Sequence, residues 1–482
     1  MLGLGLRRGL TGIIAALAGT LVAVPALAQD PTIDTGNTAW MLTSTALVLL
    51  MTIPGLALFY GGMVRKMNVL AIVMQSFTIC CLVTILWMIA GYSIAFSEGT
   101  AYFGGLSNLF LKSLTVGSIS GSIPESVFMI FQMTFAIITP ALITGAFADR
   151  MKFSAMLIFI TAWSILIYSP LCHMVWQGGG LMFGWGVLDF AGGTVVHISS
   201  GVSGLVAALM IGKRSGYRKM PFVPHNLILT VIGGSMLWVG WFGFNAGSAL
   251  AASPNAGMAM VVTQIAAAAA ALAWMFCEWG AKGHPSILGI VSGAIAGLVG
   301  ITAPSGFVEY WAAPIIGFVA GLIVVYAVLA IDRLLDDPVG ALSAHGLAGI
   351  WGTLSVGIFG SARLVSEGAA PGVWYSIFGN EPFSASLGQL GVQALAVLFT
   401  FVVVFAISIT TFKLIKSTIG LRVSEDEEEA GLDISSHGMY GYPEQFIPQP
   451  EYSTGLPGTL GAGGGAAPPL AAPAQMTAND TM

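Results

Sequence analysis

The sequence predicts an all-α membrane protein with eleven membrane-spanning helices, and three observations support this fold class. Only 8% of the residues are charged, whereas a soluble domain carries about 25%. Apolar residues make up 56% of the chain, and the mean hydropathy is +0.86. Apolar stretches of about 18 residues or more recur along the chain, and this length suits a helix that crosses a bilayer.

The apolar stretches place the eleven spans and the basic residues orient them. The spans cover residues 38–62, 69–95, 124–148, 153–173, 194–212, 225–247, 257–280, 285–303, 309–332, 340–362 and 388–413. If the first span starts outside, thirteen Lys and Arg residues fall in cytoplasmic segments and only Lys112 and Arg363 fall outside. This split obeys the positive-inside rule. It predicts a multi-pass protein of the inner membrane, with a periplasmic N-terminus and a cytoplasmic C-terminus.

The two ends of the chain differ from the membrane domain, which we place at 29–417. Residues 1–28 have a basic start, an apolar run and the cleavage-type sequence Ala26-Leu27-Ala28, so we predict a signal peptide. The alternative is an uncleaved span, but the apolar run is short. Residues 418–442 are polar and acidic and are predicted to form a cytoplasmic regulatory tail. Residues 443–482 are rich in Pro, Gly and Ala, which is typical of disorder.

An internal repeat predicts the symmetry of the membrane domain. The pattern D-x7-H-x3-G-x2-G begins at Asp189 on span five and again at Asp337 on span ten. The two copies are five spans apart, so they cross the membrane in opposite directions. The sequence therefore predicts an inverted five-helix repeat plus one extra helix, as in many transporters.

The repeat also brings two histidines together. Equivalent residues meet near the symmetry axis at mid-membrane, so His197 and His345 are expected to face each other. An ionisable residue at that depth suggests function, because its burial is costly. The alternatives are a structural hydrogen-bonded pair and a metal site. A metal is disfavoured because no third ligand has suitable spacing and the four cysteines lie in apolar runs. We expect no metal and no cofactor.

Aromatic residues stand out near the predicted span ends. Trp176 precedes three glycines at the end of span four, and Phe131 and Phe135 lie on one face of span three. Phe244 and Ser248 lie at the end of span six. Aromatic faces at a pore mouth bind small cations. The alternatives are interfacial anchoring for Trp176, core packing for the phenylalanines and a backbone hydrogen bond for Ser248.

Asp189 lies just before span five. It is expected to cap or orient the start of that helix. A buried carboxylate near the mouth also attracts a cation.

Four motifs together resemble a known family. They are Ile53-Pro-Gly-Leu-Ala-Leu-Phe59-Tyr60-Gly-Gly, Asp189-Phe-Ala-Gly-Gly-Thr-Val-Val-His197, Gly240-Trp-Phe-Gly-Phe-Asn-Ala-Gly-Ser248 and Gly431-Leu-Asp433-Ile-Ser-Ser-His437-Gly438. Over about residues 38–440, the sequence resembles the ammonium transporter (Amt/Mep/Rh) family, on its bacterial Amt side. The resemblance implies a homotrimer with one pore through each subunit, in contact with the lipid bilayer.

The resemblance also implies residue roles and partners. Trp176, Phe135 and Ser248 would recruit ammonium, for which methylammonium is an analogue, and Phe131 and Tyr168 would line the vestibule. Phe135 and Phe244 would form a hydrophobic gate above the pore histidines His197 and His345. Asp189 would be an essential carboxylate. The tail would contact a neighbouring subunit, and the cytoplasmic face would receive a PII-type signalling protein. No nucleic acid is expected to bind.

These roles suggest that ammonium is recruited, gives up a proton and passes as ammonia, with net proton transfer. One alternative is an ammonium sensor or receptor with little flux, but residues 443–482 do not suggest a folded output domain. Another is an Rh-like channel for neutral gas, which the aromatic cluster disfavours. An enzyme is not expected, because no nucleophile–base set, metal cluster or phosphate loop is present in the sequence.

Overall fold

A computed structural model describes residues 32–365 and 368–442 of the protein. The predicted signal peptide at 1–28 and the predicted disordered extension at 443–482 lie outside the described residues. The described chain contains eleven long helices, α1 to α11. Their bounds are Thr35–Met63, Lys66–Phe96, Glu125–Phe147, Phe153–Trp163 continued by Ser164–Tyr168 and Ser169–Trp176, Gly193–Ile211, Leu227–Ala246, Pro254–Lys282, Ile287–Thr302, Ala313–Ile331, Leu342–Phe359 and Phe383–Thr418.

Short elements connect or follow these helices. Single helical turns occur at Leu109–Leu111, Leu181–Gly184 and Val373–Ile377. Two short strands, β1 (Ile119–Ser120) and β2 (Ile123–Pro124), pair antiparallel before α3. The tail contains α12 (Glu425–Ala430) and α13 (Leu432–His437).

The predicted count of eleven helices is confirmed, although α8 is short. Ten helices are long and apolar enough to cross a membrane, whereas α8 has 16 residues and the usual span needs about 20. Gly293 and Gly297 bring α8 against Ala270 of α7, and Gly300 faces Ala320 of α9. Because its neighbours cover it, α8 does not have to match the thickness of the bilayer alone.

The helix ends form two faces of different charge. The basic face holds Arg65, Arg150, Arg214 and the tail, which are joined by ion pairs and hydrogen bonds. We call the other side the opposite face; there Trp40, near the start of α1, donates a hydrogen bond to the end of α6. The orientation of these faces in a membrane stays a prediction.

Buried charges hold the helix ends together at the basic face. Arg150 is fully buried and donates hydrogen bonds of 2.8–3.1 Å to four carbonyl oxygens, including those at the ends of α3 and α5. Burial lowers the pKa of Arg150 to about 10, so its guanidinium remains charged at neutral pH. Arg214 lies between Asp149 and Asp336, at 3.1 and 2.8 Å. Removing one partner of such a set would leave an unpaired buried charge, which is strongly destabilising.

The inverted repeat is confirmed by reciprocal contacts between α5 and α10. A Cβ atom added to Gly201 would lie 2.2 Å from the nitrogen of Gly346, and one added to Gly349 would lie 3.2 Å from the nitrogen of Ile198. Residues 198 and 346 are equivalent in the repeat, as are 201 and 349. Each helix therefore contacts the other through equivalent residues of the repeat. Such reciprocal contacts are the property of an interface on a twofold axis.

The repeat extends to the carboxylates that start these helices. Asp189 accepts hydrogen bonds from the N–H groups of Gly193 and Thr194. Asp337 accepts hydrogen bonds from the equivalent N–H groups, those of residues 341 and 342. Both carboxylates therefore satisfy first-turn amides that have no partner within the helix.

The tail docks on the basic face of its own chain. Asp433 accepts hydrogen bonds from two N–H groups at the start of α2, at 2.8 and 3.1 Å. Glu428 is fully buried and accepts hydrogen bonds from the N–H of Ser215 at 2.7 Å and from Arg422 at 2.6 Å. The predicted contact of the tail with a neighbouring subunit stays a prediction.

Replacing Glu428 with alanine is expected to release the tail. The change removes the carboxylate acceptor of the Ser215 N–H and of two Arg422 nitrogens, while the third Arg422 nitrogen keeps the Lys213 carbonyl oxygen. This loss costs about 2 kcal/mol of docking free energy. We expect limited proteolysis of the tail to become at least about tenfold faster. The adjacent Glu429 is exposed, so Glu429→Ala is the matched control. Equal cleavage rates in the two variants would show that Glu428 does not anchor the tail.

Candidate functional site

The start of α5 is built around Asp189. Its carboxylate is buried and accepts hydrogen bonds from the N–H groups of Gly192, Gly193 and Thr194 at 2.7–2.8 Å, and from the hydroxyl of Thr194. Gly192 has a φ of 114°, which disfavours residues with a Cβ. The capping alternative for Asp189 thus matches the observed geometry. The carboxylate fixes the backbone that leads into the pore helix.

Trp176 is held beside this segment. Its indole Nε1 donates a hydrogen bond of 2.9 Å to the carbonyl oxygen of Asp189. The ring meets Phe135 edge-to-face, with 6.1 Å between the centroids and 89° between the planes. The side chain is half-buried. Its position is therefore set by a hydrogen bond on one side and an aromatic contact on the other.

Three phenylalanines lie side by side next to Trp176. The ring centroids of Phe131 and Phe135 are 5.0 Å apart, and those of Phe135 and Phe244 are 4.2 Å apart. All three side chains are buried. The Ser248 hydroxyl donates to the carbonyl oxygen of Phe244 at 2.8 Å and is half-buried. Because its proton is used there, the oxygen of Ser248 remains available as an acceptor.

The two histidines stack as the repeat predicts. Their ring centroids are 5.4 Å apart with 9° between the planes, and both side chains are buried. The ring of Trp241 stacks on His197, 5.5 Å away. The hydroxyl of Tyr60 donates to the Leu142 carbonyl oxygen at 3.1 Å and lies 3.4 Å from Nε2 of His345. His197 is thus enclosed by rings, whereas His345 has a polar neighbour.

Three of the four histidine ring nitrogens have no hydrogen-bond partner among the described residues. These are both nitrogens of His197 and Nδ1 of His345. Buried polar atoms are normally paired, so such atoms call for an explanation. A polar molecule passing along the ring edges would supply the missing partners.

Local helix geometry helps to place these side chains. His197, Phe244 and His345 each lie in a π-helical turn, at Gly193–Ile198, Phe242–Ala246 and Leu342–Leu347. A π turn adds a residue to the helix and is often found at functional sites.

A cavity joins the histidines to the basic face. A narrow cavity contains both histidines and is otherwise lined by aromatic and aliphatic side chains, including Trp241 and Ile138. A wider cavity opens among residues of the basic face and also reaches His345. On the side of the opposite face, the rings of Phe135 and Phe244 lie against each other with 30° between their planes, and the Phe244 ring lies 6.0 Å from that of His197. The arrangement is a largely apolar passage with two histidines in its wall and an aromatic pair beside them.

Tyr168 lies apart from the other predicted recruitment residues. It is fully buried, and its ring contacts Trp87 and Trp163, with centroids 6.1 and 6.2 Å away. Within the described part of the chain, no ring contact joins it to Phe131 or Trp176. Its role in the vestibule stays a prediction from resemblance.

Two pore residues were not predicted. Trp241 and Tyr60 stand within quoted motifs, yet neither was given a role. Each lies next to glycine in a membrane helix, at Gly240 and Gly61, which is a signal of close helix packing around a ring. That signal marks a packed position, but it does not identify the histidine that each ring meets.

The fold and the site define a class of protein. Eleven apolar helices, an inverted repeat and an apolar passage with paired histidines at the repeat axis are typical of a polytopic membrane transporter or channel. Residues 39–442 match the Ammonium Transporter Family, and the chain belongs to this family. Family membership confirms the resemblance predicted from the motifs and the expectation that the protein is a transporter and not an enzyme.

Relatives from several organisms support this assignment. The chain is 45% identical over 415 residues to an ammonium transporter of Bacillus subtilis, covering 85% of this chain and 99% of the relative. It is 41% identical over 409 residues to ammonium transporter Amt1 of Archaeoglobus fulgidus, covering 84% and 99%.

Solved structures agree with the fold. Mep2 of Candida albicans superposes with a TM-score of 0.76 at 32% identity, covering 86% of this chain and 92% of that one. A protein described as a sensor Amt protein superposes with a TM-score of 0.76 at 28% identity, covering 83% and 98%.

Proposed function

We propose that this protein transports ammonium across the inner membrane for nitrogen assimilation. The observation that carries the proposal is the pair of buried histidines with unpaired ring nitrogens, lying behind an aromatic gate. The names of the relatives point to the same solute.

The opposite face supplies the recruitment site. Ammonium is a small cation with four N–H donors. The faces of Trp176 and Phe135 attract its charge, and the Ser248 oxygen accepts one of its hydrogen bonds. Phe131 lies beside them. Tyr168 is proposed to line the vestibule without contacting the other recruitment residues. The buried carboxylate of Asp189 adds attraction for a cation and orients the loop that holds Trp176.

Deprotonation lets the solute cross the apolar pore. Moving an ion from water into a low-dielectric interior costs many kcal/mol, and the neutral base avoids most of this cost. Ammonia passes between Phe135 and Phe244 and then meets His197 and His345, whose ring nitrogens donate and accept hydrogen bonds. The released proton crosses as well, so net charge is transported.

The cellular setting follows from the basic residues and the family. We propose that the opposite face lies in the periplasm and that the basic face, with the tail, lies in the cytoplasm. The protein forms a homotrimer in the lipid bilayer, with a pore in each subunit. A PII-type signalling protein docks on the cytoplasmic face, and the tail at 418–442 takes part in this regulation.

Electrical recording on a supported membrane tests the proposal. Proteoliposomes containing the full chain receive a pulse of ammonium, and we expect a transient current that saturates with concentration. If ammonia equilibrates without current, the protein is a neutral-gas channel. If neither current nor flux is observed, the sensor alternative, suggested by the similarity to a sensor Amt protein, replaces transport.

Replacement of His345 with alanine is expected to impair selectivity. The change removes the polar edge that meets Tyr60 and leaves space in which water and other cations fit. We expect the preference for methylammonium over potassium to fall at least about tenfold. His284 lies exposed in the loop between α7 and α8, so His284→Ala is the control. Unchanged methylammonium uptake and current in the His345 variant would rule out the paired-histidine mechanism.

A further inference from the structure

The eleventh helix lies outside the inverted repeat, yet it reaches the Asp189 segment. Two glutamines on α11, Gln389 and Gln393, are buried one turn apart. A buried amide costs free energy unless it is hydrogen-bonded. The position of these amides therefore depends on the backbone groups that they bind.

Gln393 binds both backbone groups of Leu188, the residue that precedes Asp189. Its Oε1 accepts a hydrogen bond of 2.9 Å from the N–H of Leu188. Its Nε2 donates to the carbonyl oxygen of Leu188 at 2.7 Å and to that of Thr353, on α10, at 3.1 Å. Gln389 donates to the carbonyl oxygen of Gly186 at 3.0 Å.

The N–H groups of Gly186 and Val187 donate to carbonyl oxygens of the preceding helical turn, Leu181–Gly184. Residues 188–190 have no regular structure, and their other backbone hydrogen bonds come from different helices. Trp176 donates to the carbonyl oxygen of Asp189, and the N–H of Phe190 donates to the carbonyl oxygen of Ala303, just after α8. Among these contacts, the one from α11 binds both the N–H and the carbonyl oxygen of one residue, Leu188. Because two backbone groups are bound, the Leu188 peptide can neither shift away from α11 nor rotate, and Asp189 follows directly in the chain.

We propose that Gln393 is a positioning residue for substrate recruitment. It fixes the position of the Asp189 carbonyl oxygen. Through the hydrogen bond that the Trp176 indole donates to this oxygen, it also fixes the position of the Trp176 ring at the pore mouth. The inference deepens the proposed function and rests on it, because it assigns Gln393 to the same recruitment site. Gln393 does not contact the solute itself.

A purely structural role for Gln393 predicts a different result. If the amide only fastened α11 to the bundle, its loss would lower the amount and the thermal stability of folded protein. The apparent KM of the molecules that fold would not change. A positioning role predicts a higher KM with a nearly unchanged maximal rate, because the histidine pore lies on α5 and α10 beyond the altered loop.

The test compares Gln393→Leu with a variant on the same helix. Leucine keeps the approximate size and removes all four hydrogen bonds of the amide, including the one of 3.5 Å that its Oε1 accepts from Gln389. The control is Thr400→Val, because Thr400 is buried on α11 and its hydroxyl has no hydrogen-bond partner among the described residues. Ammonium-pulse currents are recorded from proteoliposomes and normalised to monodisperse full-length protein. We expect Gln393→Leu to raise the apparent KM about tenfold, a size typical of displaced binding groups, and Thr400→Val to match the wild type.

Gln393→Glu keeps the proposal testable if the leucine variant does not fold. Glutamate retains an acceptor for the Leu188 N–H and loses the donors, so we expect an intermediate KM. A KM equal to that of Thr400→Val in every folded Gln393 variant would overturn the inference. Asp189→Asn is recorded in parallel. If Asp189→Asn is fully active, the proposed role of Asp189 in recruitment fails; if only the Gln393 variants behave like the control, the inference about Gln393 fails alone.

Discussion

Replacement of Asp189 with alanine is expected to abolish the ammonium current. The change removes the acceptor of four hydrogen bonds, three from backbone N–H groups and one from the Thr194 hydroxyl. Each buried donor left unpaired costs about 1–3 kcal/mol. The loop from Asp189 to Thr194 would then reorganise to reach water, and the partner of the Trp176 indole would move with it. The negative charge near the mouth would also be lost.

Transient currents after an ammonium pulse measure this effect. We expect the Asp189→Ala signal to be at least about 100-fold below that of the wild type, equivalent to about 2.7 kcal/mol. Asp337→Ala is the matched comparison, because Asp337 is the repeat equivalent and accepts two backbone hydrogen bonds. Its effect is expected to be smaller. A wild-type current in Asp189→Ala would refute the proposed role of the Asp189 carboxylate in recruitment.

Replacement of Gly201 with alanine is expected to prevent correct folding. The new Cβ atom would lie 2.2 Å from the nitrogen and 2.3 Å from the Cα atom of Gly346. Both are backbone atoms, so no side-chain rotation relieves the overlap. Overpacking a membrane or soluble core by one methyl group typically costs 1–3 kcal/mol, and a clash between two backbones at the repeat axis should exceed about 3 kcal/mol. His345 precedes Gly346 and would be displaced with it.

Gly204 offers a control one turn along the same helix. A Cβ atom there would lie 3.3 Å from the Cβ of Ala146 and 3.9 Å from that of Ala341. We expect Gly204→Ala to give a near-normal yield of monodisperse protein and a melting temperature close to wild type, and Gly201→Ala to give little folded protein. Similar melting temperatures for the two variants would show that the α5–α10 crossing is looser than described.

The features that could be predicted from sequence are those that follow from short or repeated residue patterns. Apolar stretches located the helices, and the spacing from Asp189 to His197, repeated from Asp337 to His345, was sufficient to predict both the inversion and the histidine pair. The position of Asp189 before a helix predicted a cap, which the four hydrogen bonds match. These signals are local or repeated, so they do not require knowledge of which helices become neighbours.

Other contacts depend on neighbours that are distant in the chain. Trp241 on α6 meets His197 on α5, and Gln393 meets Leu188 across 205 residues. The ring of Tyr168 lies at the end of a π turn in α4. The composition of that segment does not predict such a turn. In each case the residue type was visible, but the direction of the side chain was not.

The odd number of helices in each half has a consequence for the origin of the fold. A unit of five helices begins on one face and ends on the other, so α5 ends and α6 begins at the basic face. Two copies of one gene joined head to tail would therefore insert in opposite directions with only a loop between them. A unit of six helices, duplicated in the same way, would give parallel halves and no facing histidines. One tandem duplication would therefore suffice to create the axis. The two carboxylates that start α5 and α10 differ in the number of donors that each holds, four for Asp189 and two for Asp337.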